Sequence, residues 1–447
     1  MFLSISSVEK MPGMAAPKAA PKAAPFWRAG AFFVPCVPLL LAALLSAMSA
    51  SAHSQVGGIE FSPELSIDDA LRIVVSDHPS VQQRLSEVRA AQRDLEVARW
   101  QRFPSLSASA SEAVSQLNQS NAVLQQPVWT GGRITAAIEV AEAARDASNF
   151  AVLETQQALM VEVVTRFFAL RQARGSYAVA ESNIAAHQAL RDMIARRVEA
   201  TASPEIDQML AAARLASAES DALSYEAAAG RAESALAIAL GLEAIGPLEV
   251  AALAPEALSQ TPSVDEALAS SGSLQLFEAQ ALQAQAEALR AKAETRPQLA
   301  VAYDRRFGDL LPGQQREQVF IQLEYQPGAG LSARAAMASA RERALAAKQA
   351  AEAQALAVSA EVLSLQAELR ARQAQEKAAS AMVAANAQVV ESYLRQYRVG
   401  NKSWLDVMNA QRESAQAELN LVSIENDLLS IFYRLRIASG EIWESRK

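Results

Sequence analysis

The stretch Ser66-Ile-Asp-Asp-Ala-Leu71 recurs on the order of 200 residues later as Ser263-Val-Asp-Glu-Ala-Leu268. Two further pairs keep the same order at a similar spacing, namely Gln126-Pro127 with Gln326-Pro327 and Ile206-Asp207 with Leu405-Asp406. Short motifs that repeat in one fixed order are the signature of a duplicated structural unit. The chain is therefore predicted to be two tandem copies of one unit.

The N-terminal segment has the pattern of a secretory signal peptide. Four basic residues precede the apolar run of residues 39–45, and the small residues Ala50-Ser51-Ala52 follow it as a cleavage signature. The sequence leaves the translation start open between Met1, Met11 and Met14. Cleavage would also remove Cys36, the only cysteine, so the mature chain could form no disulfide. We expect a signal peptide at 1–52, a first repeat at 53–250, a linker at 251–262, a second repeat at 263–441 and a tail at 442–447.

Each unit begins with a helix and continues with strands. Ser66 with Asp69, and Ser263 with Glu266, form capping boxes that start helices predicted to end near Pro104 and Pro297. Alternating apolar and polar residues then predict two strands per unit. In the second unit the strands carry, on alternate positions, Tyr303, Val319, Ile321 and Leu323.

Very long helices follow the strands in both units. Residues 331–399 contain no Gly or Pro, and residues 133–203 contain only Gly175. At 1.5 Å per residue such helices are on the order of 100 Å long, and helices of this length need partner helices. A shorter helix of about ten turns then returns to Gly241 or Gly440.

The predicted fold class is mainly α with a small β part, made of two tandem repeats with long helical hairpins. Four strands cannot close a barrel, and an open sheet edge cannot face lipid. We therefore expect several copies to share one transmembrane barrel; three copies would give 12 strands. The helices would extend that barrel into a duct. An ordinary coiled-coil rod is the alternative, but it would explain neither the strands nor the duplication.

No catalytic or metal-binding constellation is visible in the sequence. His53, His78 and His187 are the only histidines and lie far apart, and no nucleophile motif is present. The formal net charge of -8 argues against nucleic-acid binding. We therefore predict no enzymatic activity and no cofactor, and we interpret His78 and His187 as surface or packing residues.

The order of several motifs resembles the TolC family of outer-membrane channel proteins over residues 64–441. The motifs are Leu65-Ser-Ile-Asp-Asp-Ala-Leu71, His78-Pro79, Arg102-Phe-Pro104, Gln126-Pro-Val-Trp-Thr-Gly-Gly-Arg133, Ala239-Leu-Gly241 and Tyr397-Arg-Val-Gly-Asn-Lys-Ser-Trp-Leu-Asp-Val-Met-Asn-Ala-Gln411. The resemblance implies a homotrimer in the bacterial outer membrane, a 12-strand barrel in lipid and a helical tunnel in the periplasm. It also implies a closed periplasmic entrance, an adaptor protein as partner, and an inner-membrane ABC or proton-driven transporter.

The resemblance also assigns roles at the two hairpin tips. Positions matching Tyr397, Lys402 and Asp207 link neighbouring hairpins and hold the entrance shut in the family, and the position matching Asp406 lies on an acidic ring. Asn409 stands where many relatives carry a second acid, and Lys402 replaces the usual arginine, so any link should be looser. The remaining tip residues are assigned to turns and adaptor docking: Ser203, Pro204, Gly400, Ser403 and Trp404.

Helix capping is the competing explanation for several of these residues. Gly400 would end one helix and Ser403 would begin the next, with Asp406 completing an S-x-x-D capping box. Ser203 is predicted as an N-cap, with Pro204 at the first helical position. For Asp406, capping alone and capping with a gating role both remain open.

The leading functional prediction is a passive exit duct of a tripartite exporter. Residues 403–413 resemble members that serve type I protein secretion, and no lipid-attachment cysteine follows the signal segment. Small-molecule or multidrug efflux is the alternative. A periplasmic adaptor fits less well, because it would carry one hairpin within β-rich domains. A structural envelope coiled coil would lack strands.

Overall fold

The structure is a computed structural model that describes residues 65–112, 118–243, 245–249, 261–308, 313–326, 328–330 and 332–441. The predicted signal peptide at 1–52 and the tail at 442–447 lie outside these residues, as does most of the linker at 251–262.

Helices dominate the described part of the chain. They are α1 (Ile67–Asp77), α2 (Pro79–Trp100), α3 (Arg133–Glu199), α4 (Glu205–Leu240), α5 (Val264–Ser270), α6 (Gly272–Glu294), α7 (Ser332–Arg398) and α8 (Trp404–Ala438). The strands are β1 (Leu65–Ser66), β2 (Ser105–Glu112), β3 (Asn118–Trp129), β4 (Leu248–Glu249), β5 (Gln298–Gly308) and β6 (Glu317–Glu324). The prediction of a mainly α fold with a small β part is confirmed. None of the described helices is both long and apolar enough to cross a lipid bilayer.

The first helix of each unit is broken in two, where the sequence predicted one continuous helix. His78 has extended backbone angles, as a residue before proline prefers, so α1 ends there and α2 starts at Pro79. In the second unit Ser271 is the N-cap of α6, and its hydroxyl accepts from the Leu274 amide. A Cβ on Gly272 would lie only 2.7 Å from the Glu154 amide nitrogen. Glycine is thus needed for α6 to begin against the backbone of α3.

The long helices have the predicted form. Helices α3 and α7 each contain 67 residues, and α4 and α8 return over 36 and 35 residues. Helix α4 ends at Gly241, whose φ of 69° is left-handed, and Gly440 has a φ of 79° just beyond α8. The first long helix starts at a strand-to-helix turn at Gly131-Gly132, both with positive φ. This turn agrees with the sequence interpretation.

One antiparallel sheet contains the four predicted strands in the order β2-β3-β5-β6. Strands β1 and β4 form a separate two-stranded parallel pair that the sequence did not predict. They contain two residues each, too few for an alternating pattern to be recognised. The four-stranded sheet has open edges at β2 and β6 within the described chain.

One face of the sheet is mostly apolar and the other is mostly polar. One cross-strand row consists of Leu106, Leu124, Tyr303 and Val319, and Ile321 and Leu323 continue the same face of β6. The adjacent row, on the other face, consists of Ser107, Val123, Asp304 and Gln318. Ile321 is 71% exposed and Leu323 is 68% exposed in the single chain. Such an apolar surface needs a nonaqueous neighbour or a partner to cover it.

Both repeats contribute to one hydrophobic core. Phe167 and Phe168 of α3 pack with Phe432 and Tyr433 of α8, and the Phe168 and Tyr433 ring centroids are 5.6 Å apart. Residues of α1, α4 and α7 join the same cluster. Burial of large aromatic and aliphatic side chains is the main stabilising contribution here. The two repeats therefore fold around a shared core.

The helices form a layer that does not close on itself. Near the tips α3 packs between α4 and α8, and α8 packs in turn on α7; nearer the sheet α3 packs on α2 and α6, and α6 packs on α7. Helices α4 and α7 do not pack together along their lengths in the described chain. Large apolar side chains are exposed on both, including Leu223 and Ile238 of α4 and Leu356 and Leu363 of α7.

Candidate functional site at the hairpin tips

The first tip joins α3 to α4. Ala200 follows α3, and Thr201 has the only positive φ of a non-glycine residue in the described chain, at 51°. The N-cap of α4 is Pro204, with φ −68° and ψ 151°, and no side chain caps the helix. The prediction of Ser203 as N-cap with Pro204 at the first helical position is therefore wrong by one residue. Pro204 itself occupies the N-cap position in an extended conformation. Its carbonyl oxygen accepts a hydrogen bond from the Asp207 amide at 3.1 Å.

The second tip joins α7 to α8 and contains the predicted turn and cap. Gly400 has a φ of 82°, and its amide donates to the Tyr397 carbonyl at 3.1 Å. Ser403 is the N-cap of α8, and its hydroxyl accepts from the Asp406 amide at 3.2 Å. The Asp406 carboxylate accepts from the Ser403 amide at 3.2 Å, which completes the capping box.

Lys402 contacts residues of its own hairpin. Its Nζ lies 3.9 Å from Asp406 Oδ2 and 4.4 Å from the centroid of the Tyr393 ring. Both side chains of the ion pair are about a third or more exposed, so the pair contributes little to stability. Lys402 is therefore held near the cap by one weak ion pair and one cation–π contact.

Tyr397 and Trp404 lie in the interior between the two tips. They pack with Ile194 of α3 and with Val407 and Met408 of α8 in one cluster, called the tip core below. Trp404 is only 7% exposed, so the structure corrects its assignment to a docking surface. Its indole holds the hairpins together.

The Tyr397 hydroxyl is buried without a hydrogen-bond partner among the described residues. The Arg197 guanidinium lies over the Tyr397 ring, with its Cζ 4.8 Å from the ring centroid. A buried hydroxyl without a partner is unfavourable by about 1–3 kcal/mol. The single chain leaves this atom unsatisfied within the tip core.

The single chain does not bring all the predicted entrance residues together. Asp207 is half-buried in the first turn of α4, and within the described residues no hydrogen bond or ion pair joins it to Tyr397 or Lys402. Asn409 is exposed on α8 and lines a cleft with His187 and Arg412. Tyr397 and Lys402 thus lie on the second hairpin, while Asp207 lies on the first.

His187 is the residue whose environment the sequence did not reveal. It is only 6% exposed, and its Nδ1 has no hydrogen-bond partner in the described part of the chain. Burial, with the Arg214 charge second, lowers the pKa of His187 below its ordinary value. The packing interpretation is correct for this residue, but a lone histidine in a helix gives no signal of an unpaired ring nitrogen. No cluster of potential metal ligands occurs among the described residues.

Comparison with known proteins places the fold among outer-membrane channels. Residues 71–242 match the family model described as outer membrane efflux protein. No curated protein matches the sequence.

Solved structures give the same fold. The outer-membrane channel OprN has a TM-score of 0.74 and 20% identity, over 84% of this chain and 89% of that chain. A membrane protein from Pseudomonas aeruginosa has a TM-score of 0.75 and 18% identity, over 84% and 93%. The outer membrane protein VceC from Vibrio cholerae has a TM-score of 0.71 and 15% identity, over 84% and 96%. The resemblance stated from the sequence is confirmed, at the level of fold over most of the chain.

Proposed function

We propose that this chain, with its TolC-like fold and its outer membrane efflux protein segment, forms a homotrimeric exit duct in the outer membrane. The duct passively conducts substrate delivered by an inner-membrane transporter and a periplasmic adaptor. The four strands of each copy form one third of a 12-strand barrel in lipid, and the helices extend as a tunnel into the periplasm. Secretion of the chain through a cleaved signal peptide belongs to the same proposal.

The observation that carries the proposal is that both the β-sheet and the layer of helices have open edges in the single chain. The sheet has open edges at β2 and β6 and one apolar face, and the helical layer has open edges at α4 and α7. An open sheet edge is unfavourable in lipid, and exposed apolar side chains on α4 and α7 are unfavourable in water. Side-by-side association of copies would pair the open strand edges and cover the exposed apolar side chains of α4 and α7 at the same time.

At the periplasmic end the tips form the entrance. Tyr397 and Lys402 of one hairpin are proposed to reach Asp207 of a neighbouring hairpin, while Asp406 of each copy faces the axis. The partly exposed side chains of Lys402 and Asp207 support this link, whereas Tyr397 lies in the tip core and would join it through a rearrangement of the tips. Asn409 carries no charge, so a second acidic ring is not proposed. Four residues at the turns are proposed to contact the adaptor: Ser203, Pro204, Gly400 and Ser403.

Conductance of single channels tests the proposed entrance. The variant Tyr397→Phe with Lys402→Ser should have clearly higher conductance in planar bilayers, because it removes the links between hairpins. Tyr397→Phe removes only a hydroxyl that has no hydrogen-bond partner in the described residues, and the ring keeps its contacts. The substitution should therefore change the stability of the single chain little. The matched control combines Tyr225→Phe with Lys377→Ser, two substitutions away from the tips. Equal conductance in the double variant, the control and the native protein would exclude the latch.

For the substrate, we propose type I secretion of large proteins. The run at residues 403–413, which includes the capping box of α8, supports this choice by its resemblance to secretion members. Small-molecule efflux is the second candidate, and the description of the matching family model favours it.

Deletion of the chromosomal gene separates the two candidates. Loss of one or a few large proteins from the culture supernatant, with unchanged sensitivity to detergents and antibiotics, would support protein secretion. Increased sensitivity with an unchanged supernatant would support efflux and contradict the secretion proposal. Complementation with the native gene should restore the affected property.

A further inference from the structure

A small cleft between the two hairpins lies close to their tips. We call it the interhelix cleft and define it by His187 of α3, Arg214 and Asp221 of α4, and Asn409 and Arg412 of α8. Its volume is about 70 Å³, far below the 300–1,000 Å³ of sites for drug-sized molecules. The space suits a small ion.

His187 of α3 is the buried polar residue of this cleft. His187 is only 6% exposed and its Nδ1 has no partner among the described residues, whereas buried polar atoms are normally hydrogen-bonded. Its lowered pKa keeps the imidazole neutral near pH 7. A neutral imidazole leaves the charge of the cleft to its arginines and its aspartate.

The charges around the cleft favour an anion. Arg214 and Arg412 contribute two guanidinium groups, and Asp221 is the only carboxylate in the lining. The lining is therefore positive overall while His187 is neutral. Guanidinium groups bind oxyanions through charge-assisted and often bidentate hydrogen bonds. The Asn409 amide and the Ser217 hydroxyl supply further donors.

We propose that the interhelix cleft binds a small oxyanion of the sulfate or phosphate class, which bridges Arg214 of the first hairpin and Arg412 of the second. Both arginines lie within about three turns of the start of their helices, so the bound ion fastens the two hairpins together next to the tip core. The cleft is lined by α3, by α8 and by α4, which is also one of the two open-edge helices.

Isothermal titration calorimetry of the full chain in detergent, with sodium sulfate as ligand, tests the proposal. Sulfate keeps its charge near neutral pH, so ligand protonation does not contribute. We expect saturable binding of one sulfate per chain. Arg412→Gln should weaken binding about tenfold or more, because it removes one charged donor. Arg231→Gln is the matched control, since it removes an exposed arginine of α4 away from the cleft, and it should bind as the native chain does.

A second variant tests the charge argument in the opposite direction. Asp221→Asn removes the only opposing charge and should tighten sulfate binding about threefold or more. Helical circular dichroism of each variant establishes that it is folded before titration. Absence of saturable binding to the native chain would overturn the proposal. So would equal affinity in Arg412→Gln and Arg231→Gln, or weaker binding in Asp221→Asn. The outcome does not depend on whether the chain is an exit duct.

Discussion

Asp406 is the tip residue at which two roles can be separated by experiment. Its carboxylate accepts from the Ser403 amide, which is a structural role, and its side chain is 43% exposed, so the charge also reaches solvent. Three such charges around one axis would favour cations at a narrow mouth. Ser403 contributes to the same capping box without carrying a charge. It therefore provides the natural control.

We predict that Ser403→Ala destabilises the start of α8 by about 0.5–2 kcal/mol and that Asp406→Ala destabilises it in the same direction, because each removes one half of the capping box. Only Asp406→Ala should also weaken the preference of the channel for cations. Thermal unfolding followed by helical circular dichroism measures the first effect, and reversal potentials in planar bilayers measure the second. If selectivity is unchanged in Asp406→Ala, Asp406 only caps the helix.

Gly175 is the single glycine in the 67 residues of α3. A steric constraint explains why glycine occupies this position. A Cβ at this position would lie 2.9 Å from Cγ1 of Val422 on α8. Valine is stiff at χ1, so it yields poorly to a new neighbour. Glycine thus allows α3 and α8 to approach closely, at a loss of helix propensity of about 1 kcal/mol.

We predict that Gly175→Leu destabilises the protein by about 1–3 kcal/mol, because it overpacks this contact. Gly175→Ala should stabilise the chain only when combined with Val422→Ala. As control, Gly230→Ala in α4 should be stabilising by up to about 1 kcal/mol, because nothing lies within 4 Å of its added Cβ. Thermal unfolding of the four variants measures these differences. Stabilisation by Gly175→Leu would show that the α3–α8 contact is loose.

At the scale of elements, alternating apolar and polar residues define the strands, and the absence of glycine and proline defines the long helices. Ile321 and Gln322 are neighbours in β6 but point to opposite faces of the sheet. Ile321 stands opposite Val301 on the apolar face, and Gln322 stands opposite Ala300 on the other face.

We predict that Ile321→Lys impairs membrane assembly far more than Gln322→Lys. A lysine on the lipid face of a barrel strand is unfavourable by about 2–4 kcal/mol near the bilayer midplane, whereas the other face accepts polar residues. Heat-modifiable migration of the membrane fraction on gels measures the amount of assembled channel. Equal tolerance of both substitutions would contradict the proposed barrel or the side of the sheet that contacts lipid.

For the whole molecule, the open edges decide the stoichiometry. The sheet contributes four strands and the helical layer exposes α4 and α7. Bacterial barrels contain an even number of strands, eight at minimum, so one chain cannot form one.

We predict that the purified protein is a detergent-stable trimer. Mass measurement by light scattering with detergent correction should give three chains, because three copies close a 12-strand barrel and its helical extension together. A cysteine pair on the two edge helices at similar distances from the tips, Ile238→Cys with Leu363→Cys, should form crosslinks between chains if copies associate edge to edge. A stable monomer would exclude the shared-barrel architecture.

The sequence by itself determined the duplication, the four main strands, the two long helical hairpins and the capping box at Ser403. These features depend on local rules: short motifs recur, side chains alternate with period two, and glycine, proline and small polar residues begin or end helices. The local sequence did not predict helix breaks that depend on packing between helices. The interruption at Gly272 exists because α6 begins against the backbone of α3.

Only the tertiary structure decided which side chains are inside the tips and which face solvent. Trp404 and Tyr397 are buried because α3 and α8 meet at the tip core, and this contact joins residues that are far apart in the chain. The cleft around His187 likewise requires three helices from both repeats. Periodicity is weak in helices that pack on several sides, so it does not reveal which face meets which neighbour. Burial of a polar atom is a property of the packed hairpins, and the sequence alone does not specify it.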